Sequence, residues 1–290
     1  CMPVPLAWCT RTRGMNGTLR VPCLTICSNC SRYWSAKTRN SAVTAHFIEP
    51  DWPAPARVLA LSTTRQGGTS GAPWNSCNLA HHVGDDPAAV AANRRLLLQC
   101  LPVGTAIQWL DQVHGTRVVS ARAEGGVPEA DASVSRSPGV ACAVLTADCL
   151  PVLLCDRAGS AVAAAHAGWR GLAAGVLEAT VAAMQVPGAE LLAWLGPAIG
   201  PARFEVGREV REQFLQGPGE GTAQAFRPSP GAPGHYLADL YQLARLRLQA
   251  AGVEGIYGGD RCTYSESGHF FSYRRDGHTG RMASLVMIAP

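Results

Sequence analysis

The apolar positions of the chain are most concentrated between Val140 and Gly171, where three short hydrophobic runs follow one another. They cover Val140–Leu145, Pro151–Cys155 and Ala161–Ala165, and turn or polar residues bound each run. Apolar runs of about four to eight residues are typical of strands that are buried on both faces. The sequence therefore predicts that the core of a sheet lies in this segment.

Longer segments with helical character surround this core. Asp85-Asp86-Pro87 provides an acidic N-cap and a proline in the first turn, so a helix is predicted over 88–100. Further helices are predicted over Leu172–Val186, Glu205–Leu215 and Leu237–Ala251, and the last of these is amphipathic.

Additional strands and loops are predicted from shorter apolar segments and from the positions of glycine and proline. The predicted strands are Arg57–Thr63, Ala106–Val113, Thr116–Ala121, Leu191–Leu195 and Arg281–Ile288. Gly258–Thr263 and Phe270–Asp276 are expected to be polar strand ends, and Gly217–Gly234 is expected to be a loop. Residues 46–290 contain no internal repeat and no clear linker, which favours a single domain of the α+β class.

Residues 1–44 differ from the rest of the chain in pattern and in charge. They show neither helical nor strand periodicity, and Cys23, Cys27 and Cys30 only loosely resemble zinc-ligand spacing because no histidine or second cysteine pair completes the set. We expect a disordered or non-native leader, and we hypothesise that the natural protein begins near Val43. Residues 1–44 carry six basic residues and no acidic residue, which gives them a charge of +6. Because the whole chain has a formal net charge of +4, the remaining residues have a net charge of −2. The basic balance therefore gives no support for nucleic-acid binding.

The composition is that of a globular protein, with 290 residues of which 47% are hydrophobic and 16% charged. No apolar run reaches the roughly 18 residues that span a bilayer, and the N-terminus lacks the order of a signal peptide. Cys142, Cys149 and Cys155 lie in apolar strands without a disulfide-like framework, which favours a reducing compartment. These features predict a cytoplasmic protein without a membrane partner, either a monomer or a small homo-oligomer.

Two of the central runs lead into residues that can bind a metal. Cys149 follows the first run, His166 follows the third, and His114 ends an earlier apolar segment. A thiolate and two imidazoles suit zinc or copper, and three protein ligands leave a fourth position for water or substrate, as in catalytic zinc sites. The long spacings do not diagnose a site, so the alternative left open is that all three are ordinary core residues.

Two glycine-rich segments are candidates for holding an anion. Arg65, Gly67 and Gly68 lie in the loop 64–71, and Arg170 lies where a helix is predicted to begin after the third run. Backbone N–H groups at such positions, together with a guanidinium group, favour phosphate. For the first loop, a plain turn is the simpler interpretation.

Asp148 precedes the candidate thiolate ligand directly. Its carboxylate could orient a histidine ligand or transfer protons, and the alternative is a salt bridge with Arg170 or Arg65. Arg274 and Arg275 are further candidates for substrate contact. Adjacent side chains on a strand point to opposite faces, so we expect at most one of these two to reach the substrate.

Eight motifs in residues 46–290 resemble those of the YfiH-like multicopper-laccase-domain family, in the same order. They are STTRQGGTS, NSCNLAHHVGDDP, QVHG, TADCLPVLL, AHAGWRG, GPAIG, CTY and FFSYRRDG. Cys77 departs from the family pattern, which has a residue such as leucine there. The resemblance implies metal ligands at His114, Cys149 and His166. It also implies a four-layer α/β/β/α fold with two mixed sheets, related to a CNF-type toxin deamidase that uses a Cys–His pair.

The resemblance also implies an activity. Members of this family were first described as polyphenol oxidases and are now mostly described as zinc purine nucleoside phosphorylases that deaminate adenosine and cleave methylthioadenosine, while a bacterial branch is linked to peptidoglycan editing. A multicopper centre needs many histidines, typically in His-x-His pairs, but the chain has eight histidines and no such pair. Zinc is therefore the expected cofactor, and copper is the alternative.

The predicted function is phosphorolysis of purine nucleosides such as adenosine, inosine, guanosine and methylthioadenosine. Phosphate held by Arg65, Gly67, Gly68, Asn78 and Arg170 would attack C1′ of the ribose, and a positioned anion stabilises the oxocarbenium-like transition state. For deamination of adenosine, zinc would lower the pKa of water towards about 7, and Asp148 is the candidate acid or base. The alternatives are a copper-dependent polyphenol oxidase, a cysteine amidase of the peptidoglycan-editing type with Cys149 as nucleophile and His166 or His114 as base, and a binding module whose metal is structural.

Overall fold

The structure is a computed structural model that describes residues 46–217 and 220–290. The predicted leader and its cysteine pattern lie outside the described residues. The described residues belong to one compact unit that spans Ser41–Pro290. None of the helices in this described part is long and apolar enough to cross a membrane.

Fourteen strands form among the described residues. They are β1 (Phe47–Ile48), β2 (Val58–Thr63), β3 (Ala106–Gln108), β4 (Val118–Ser120), β5 (Ala132–Ser135), β6 (Val140–Thr146), β7 (Leu150–Asp156), β8 (Val162–Ala167), β9 (Leu191–Leu195), β10 (Glu205–Val206), β11 (Phe226–Pro228), β12 (Tyr236–Ala238), β13 (Gly255–Gly258) and β14 (Met282–Ile288). A five-stranded sheet has the order β1-β2-β14-β6-β3, and a six-stranded sheet has the order β13-β9-β7-β8-β5-β4. Each contains both parallel and antiparallel pairs, and a small third sheet has the order β10-β12-β11.

Six α-helices accompany these sheets in the described part of the chain. They are α1 (Pro87–Cys100), α2 (Trp169–Ala174), α3 (Val176–Met184), α4 (Arg208–Leu215), α5 (Leu240–Ala250) and α6 (Tyr273–Asp276). Single 3-10 turns occupy Gly188–Glu190 and Thr222–Ala225. The predicted α+β class, with a four-layer arrangement around two mixed sheets, is confirmed.

The hydrophobic core has two layers because the six-stranded sheet is covered on both faces. In β7, Leu153 and Cys155 face the five-stranded sheet, where they pack in one cluster with Val144 and Val286. The alternate residues of the same strand, such as Val152, pack in a second cluster with the helices on the other face. Side chains of a strand alternate between its faces. A strand that is buried on both faces therefore reads as one continuous apolar run, which is why the three central runs were recognisable.

The secondary structure confirms the central strands and the first helix, in which Asp86 accepts a hydrogen bond from the Ala88 N–H at 3.0 Å as the predicted cap. The helix predicted over Leu172–Val186 begins earlier and is interrupted at Gly175, whose φ of 101° ends α2. The predicted loop Gly217–Gly234 contains β11, and the predicted helix at Glu205 begins only at Arg208.

The prediction that Phe270–Asp276 is a strand end is wrong, because the second half of this segment is the short helix α6. The Ser272 hydroxyl caps this helix by accepting a hydrogen bond from the Arg275 N–H at 3.2 Å. Arg274 and Arg275 are therefore helical neighbours, and the alternation argument for a strand does not apply to them.

The topology brings several loops to one edge of the two sheets. Strand β6 belongs to the five-stranded sheet and β7 to the six-stranded sheet, so the turn 147–149 carries the chain from one sheet to the other. At this edge β8 ends at Ala167 and β5 begins at Ala132, because β5 and β8 are antiparallel with Ala132 opposite Ala165. The residues next to these strand ends form the candidate site.

Candidate metal centre

The three predicted metal ligands converge at this edge. The ligand atoms of His114, Cys149 and His166 all lie within 4.8 Å of one another, and Cys149 Sγ is 3.9 Å from His114 Nε2. The two imidazole rings meet edge to face with their centroids 4.8 Å apart. The group contains no fourth side chain from the described residues.

Unusual backbone geometry brings these side chains together. His114 has a φ of 62° and Asp148, next to the thiol, has a φ of 92°. Non-glycine residues in this left-handed region are uncommon and store strain that surrounding contacts must offset. Glycine is needed at position 168, because a Cβ there would lie 2.8 Å from His114 Cδ2 and 3.1 Å from Cys149 Sγ.

Asp131 supplies the contacts that hold two of the ligands. Its carboxylate accepts hydrogen bonds from the backbone N–H groups of Val113, His114 and Gly115 at 3.2, 2.9 and 2.6 Å. The same carboxylate lies 2.8 Å from Nδ1 of His166. An Nδ1–H donated to Asp131 leaves the Nε2 lone pair of His166 available to a metal, the arrangement found around many histidine ligands.

The donor set fits a soft or borderline divalent metal. Burial raises the pKa of the Cys149 thiol, but His166 and His114 more than offset this and lower the pKa to about 6. Burial lowers the pKa of His166, but Cys149 and Asp131 more than offset this and raise it to about 9. A thiolate with two imidazoles suits zinc or copper. His166 is buried and His114 is exposed, so one side of the group is open to solvent.

We predict that the metal-free protein carries a reactive thiolate at Cys149 down to about pH 6. The thiolate is the nucleophilic form, so the rate of alkylation of Cys149 by iodoacetamide should decrease only as the pH falls through this pKa. Peptide-resolved mass spectrometry across pH 5 to 9 would measure the profile. The buried Cys142 and Cys155, whose pKa values are raised to about 12, should stay unmodified, and a Cys149 midpoint near 9 would contradict the expectation.

Asp148 contacts the loops around the candidate site. Its two carboxylate oxygens accept hydrogen bonds from the Thr263 hydroxyl and the Arg274 N–H, both at 2.6 Å. The carboxylate that orients a histidine ligand is Asp131. The ion pairs of the described residues also include none between Asp148 and Arg65 or Arg170. Asp148 therefore fixes the loops that surround the site, and its predicted catalytic role remains a prediction.

In the glycine-rich loop at 64–71, three of the predicted anion-binding N–H groups already have partners within the protein, and the phosphate-binding role of the loop remains a prediction. The N–H groups of Gly68, Thr69 and Ser70 donate to Ser76 Oγ, Asn93 Oδ1 and Ser76 O. A Cβ at Gly68 would lie 2.3 Å from the Ser76 carbonyl oxygen, so this glycine allows close packing of the backbone. These donors are consumed within the protein, and Gly67 supplies the turn with a φ of 85°.

Arg65 joins the loops around it. Its Nε donates to the Asn75 carbonyl at 3.0 Å and its Nη1 to the Ser267 carbonyl at 3.1 Å, and the guanidinium lies 4.7 Å from the centre of the Phe271 ring. Arg170 is exposed and lies over the ring of Trp169 at 4.4 Å. A role of either arginine in phosphate binding remains a prediction.

Asn78 is fully buried, and all of its polar side-chain atoms have hydrogen-bond partners within the protein. Its Nδ2 donates to the Ala80 carbonyl and to Asp85, and its Oδ1 accepts from the N–H groups of Ala80 and Arg281. Asn78 thus holds the main chain of Arg281 in this structure, and its predicted substrate contact remains a prediction.

Arg281 was not predicted as a site residue, although it lies beside the metal centre. Met282 pairs with Thr146 across β14 and β6, so Arg281 lies next to the turn that carries Asp148 and Cys149. Burial lowers the pKa of Arg281, while the negative charges of Cys149 and Asp148 oppose that shift. Arg281 and Asp131 are thus the two site residues that the sequence pattern did not reveal.

The chain is similar to proteins of one family over most of its length. The family model described as multi-copper polyphenol oxidoreductase laccase matches residues 59–289. A purine nucleoside phosphorylase of Pseudomonas aeruginosa is 59% identical over 245 residues, which cover 83% of this chain and 98% of that protein. The purine nucleoside phosphorylase YfiH of Escherichia coli is 53% identical over 243 residues, with 83% and 98% covered.

Solved structures agree with this similarity. The crystal structure of a Neisseria meningitidis protein matches with a TM-score of 0.81 and 56% sequence identity, covering 84% of this chain and 100% of that one. The crystal structure of YlmD from Geobacillus stearothermophilus matches with a TM-score of 0.78 and 32% identity, covering 88% and 99%. The family and the fold that the motifs implied are both confirmed by these matches.

Proposed function

The chain belongs to the multi-copper polyphenol oxidoreductase laccase family, whose YfiH branch includes the relatives named purine nucleoside phosphorylase, and from this premise we propose that it is a zinc-dependent purine nucleoside phosphorylase. Its substrates are adenosine, inosine, guanosine and methylthioadenosine, with inorganic phosphate as the second substrate. Deamination of adenosine is proposed as a second activity of the same site.

The observation that carries the proposal is the group His114, Cys149 and His166, whose ligand atoms lie within 4.8 Å of one another. These residues would hold the zinc ion, which supplies a Lewis acid when bound. Asp131 orients His166 and fixes the backbone at His114, so the ligands are placed before the metal binds. Pre-organised ligands reduce the cost of assembling the site.

A multicopper oxidase centre is disfavoured by the same geometry. A three-copper cluster needs many more histidines than one group of three ligands, and this is the only group of three or more metal-binding side chains found among the described residues. The six cysteines in those residues are free thiols, which supports a location in the reducing cytoplasm.

The test is phosphate-dependent release of hypoxanthine from inosine by purified protein. We expect release with phosphate, little release without it, and loss of release after chelation that zinc restores. Ammonia release from adenosine, measured separately, tests the deaminase activity. Equal rates of hypoxanthine release with and without phosphate would contradict a phosphorylase. Oxidation of phenols after copper loading would favour the oxidase.

A cysteine amidase is the second candidate, because one specific arrangement favours it. Cys149, His166 and Asp131 form a thiol–imidazole–carboxylate series, with His166 Nδ1 2.8 Å from Asp131 and a thiol pKa of about 6. Such a series activates a nucleophilic thiolate without a metal. Hydrolysis of an amide substrate by fully chelated protein would establish this activity and displace the phosphorylase proposal.

A further inference from the structure

A cavity of about 420 Å³ is lined in part by Arg281, whose guanidinium group is within electrostatic reach of Cys149 and Asp148. We name it the Arg281 pocket, and its walls include His82, Gly84, Tyr273, His278, Thr279 and Arg281. Ligand pockets for small molecules commonly have volumes of about 300–1,000 Å³. The pocket is thus large enough for a small ligand, and none of its residues was assigned to phosphate binding by the glycine motifs.

Arg281 contributes a guanidinium group with unused hydrogen-bond donors to this pocket. Its Nη1 donates to the carbonyl oxygens of Thr279 and Gly280 at 2.9 and 3.0 Å, while its Nε and Nη2 make no hydrogen bond to the described residues. The side chain is half-buried, and its main chain is held by Asn78 through a hydrogen bond of 2.9 Å. A fixed guanidinium group with free donors is suited to an oxyanion.

Thr279 provides a second, independent observation. The residue is only 1% exposed, and its hydroxyl has no hydrogen-bond partner among the described residues. Buried hydroxyl groups normally have a partner, so one without a partner needs an explanation. Thr279 lines the Arg281 pocket, and its carbonyl oxygen accepts a hydrogen bond from Arg281 Nη1, so this residue lies next to the guanidinium group that would hold a ligand oxygen.

Tyr273 adds an aromatic surface to the same pocket. The residue begins α6 and is 62% exposed, and the guanidinium carbon of Arg281 lies 5.8 Å from the centre of its ring. Aromatic rings pair favourably with one another in offset-stacked or edge-to-face arrangements, so the Tyr273 ring could pair with an aromatic base. The pocket therefore combines an anion-binding end with a surface for a planar ring.

We propose that the Arg281 pocket is the phosphate site of the enzyme, with Arg281 and Thr279 binding inorganic phosphate and Tyr273 stacking on the purine base. This proposal rests on the proposed phosphorylase function. A bond forms between a phosphate oxygen and C1′ of the ribose while the bond from C1′ to the base nitrogen breaks. The base leaves with the bonding electron pair, and the proton of HPO₄²⁻ ends on the base, so nothing is oxidised or reduced.

The experiment compares zinc-loaded wild-type protein with Arg281→Gln and Thr279→Val. Isothermal titration with inorganic phosphate measures binding without turnover, and steady-state kinetics give KM for phosphate and for inosine. We expect Arg281→Gln to raise both the Kd and the KM of phosphate at least about tenfold, and Thr279→Val to raise them about fivefold. The zinc content and the KM of inosine should change less than about threefold.

Arg211→Gln is the matched control, because Arg211 lies over the ring of Tyr236 at 5.0 Å and belongs to neither site. Arg65→Gln tests the rival assignment, and a larger effect there than at Arg281 would overturn the proposal. If Arg281→Gln does not fold, Thr279→Val alone tests whether the pocket binds phosphate, since replacing threonine by valine keeps the shape of the side chain. Unchanged phosphate binding in Thr279→Val and Arg281→Gln also overturns it.

The two proposals fail in different ways. Phosphate binding that depends on Arg281 in a protein without phosphorolysis would support the pocket and contradict the phosphorylase function. Phosphorolysis with a phosphate KM that is unchanged in Arg281→Gln and Thr279→Val would agree with the proposed function and would contradict the assignment of the Arg281 pocket as the phosphate site.

Discussion

Replacement of Cys149 by serine should lower the rate of inosine phosphorolysis by about a thousandfold and remove bound zinc from the purified protein. The thiolate is one of only three protein ligands in the group, and a neutral hydroxyl is a poor substitute for it. Metal-ion catalysis contributes several kcal/mol, and about 1.4 kcal/mol corresponds to a tenfold change in rate. The measurements are kcat/KM with saturating phosphate and the zinc content after dialysis.

Cys100→Ser is the matched control, because Cys100 is also half-buried but ends α1 and is not part of the group. We expect it to keep the activity and the zinc of the wild-type protein. Chelation of the wild-type protein should reduce its rate to that of Cys149→Ser. If the serine variant loses phosphorolysis while chelated wild-type protein keeps it, the zinc dependence is contradicted and Cys149 acts in the reaction without a metal.

The sequence predicted the parts of the fold that have a strong local pattern. Strands β6, β7 and β8 are buried on both faces, so their apolar runs are continuous and easily recognised. Strand β5 has the sequence ASVS and was missed, because two of its four residues are serine and a third is alanine, so it carries almost no hydrophobic signal. Helix α6 has only four residues, which is too short for a helical period to appear.

The same limits explain which site residues were found. His114, Cys149 and His166 carry side chains that bind metals, so their chemistry was visible before their geometry. Asp131 was overlooked because it precedes the missed strand β5. Arg281 was overlooked because its place depends on the pairing of β14 with β6, a contact between distant parts of the chain that local pattern does not specify.

The glycine-rich loop at 64–71 shows a different limit. Glycine at position 67 or 68 indicates that the backbone needs freedom or close approach, but the residue type does not say what approaches. At Gly68 the neighbour is the protein's own backbone at Ser76. Only the hydrogen-bond partners of the loop N–H groups distinguish tight internal packing from an anion cradle.

Replacement of Asp131 by asparagine should weaken zinc binding by about 10- to 100-fold, because carboxylates that orient histidine ligands contribute that much to metal affinity. In the metal-free state, the free energy of unfolding of the variant should be lower than that of the wild-type protein by about 3 kcal/mol. The carboxylate accepts four N–H groups, and the amide nitrogen of asparagine would face some of those donors and leave them unpaired. Competition with a chelator measures the affinity, and urea unfolding measures the stability.

Asp156→Asn is the control that separates the two effects. Asp156 is also a buried carboxylate that accepts backbone N–H groups, from Ser160 and Ala161 at 2.6 and 2.9 Å, but it closes the turn between β7 and β8 and contacts no metal ligand. We expect this variant to lose stability while keeping the zinc affinity of the wild-type protein. Equal zinc affinity in the two variants would contradict a positioning role for Asp131.

The stability difference between Asp131→Asn and the wild-type protein should itself depend on pH. Burial raises the pKa of Asp131, but the hydrogen bonds from His166 and from the backbone of Gly115 and His114 more than offset this, so the folded-state pKa lies below the usual 3.8. A carboxylate with a lowered pKa stabilises the folded state above the unfolded-state pKa, and this stabilisation is lost as the pH falls through the folded-state pKa. The difference in unfolding free energy should therefore be full near neutral pH and should shrink below about pH 4. A difference that stayed constant down to pH 3 would show that the lost contacts are not those of the ionised carboxylate.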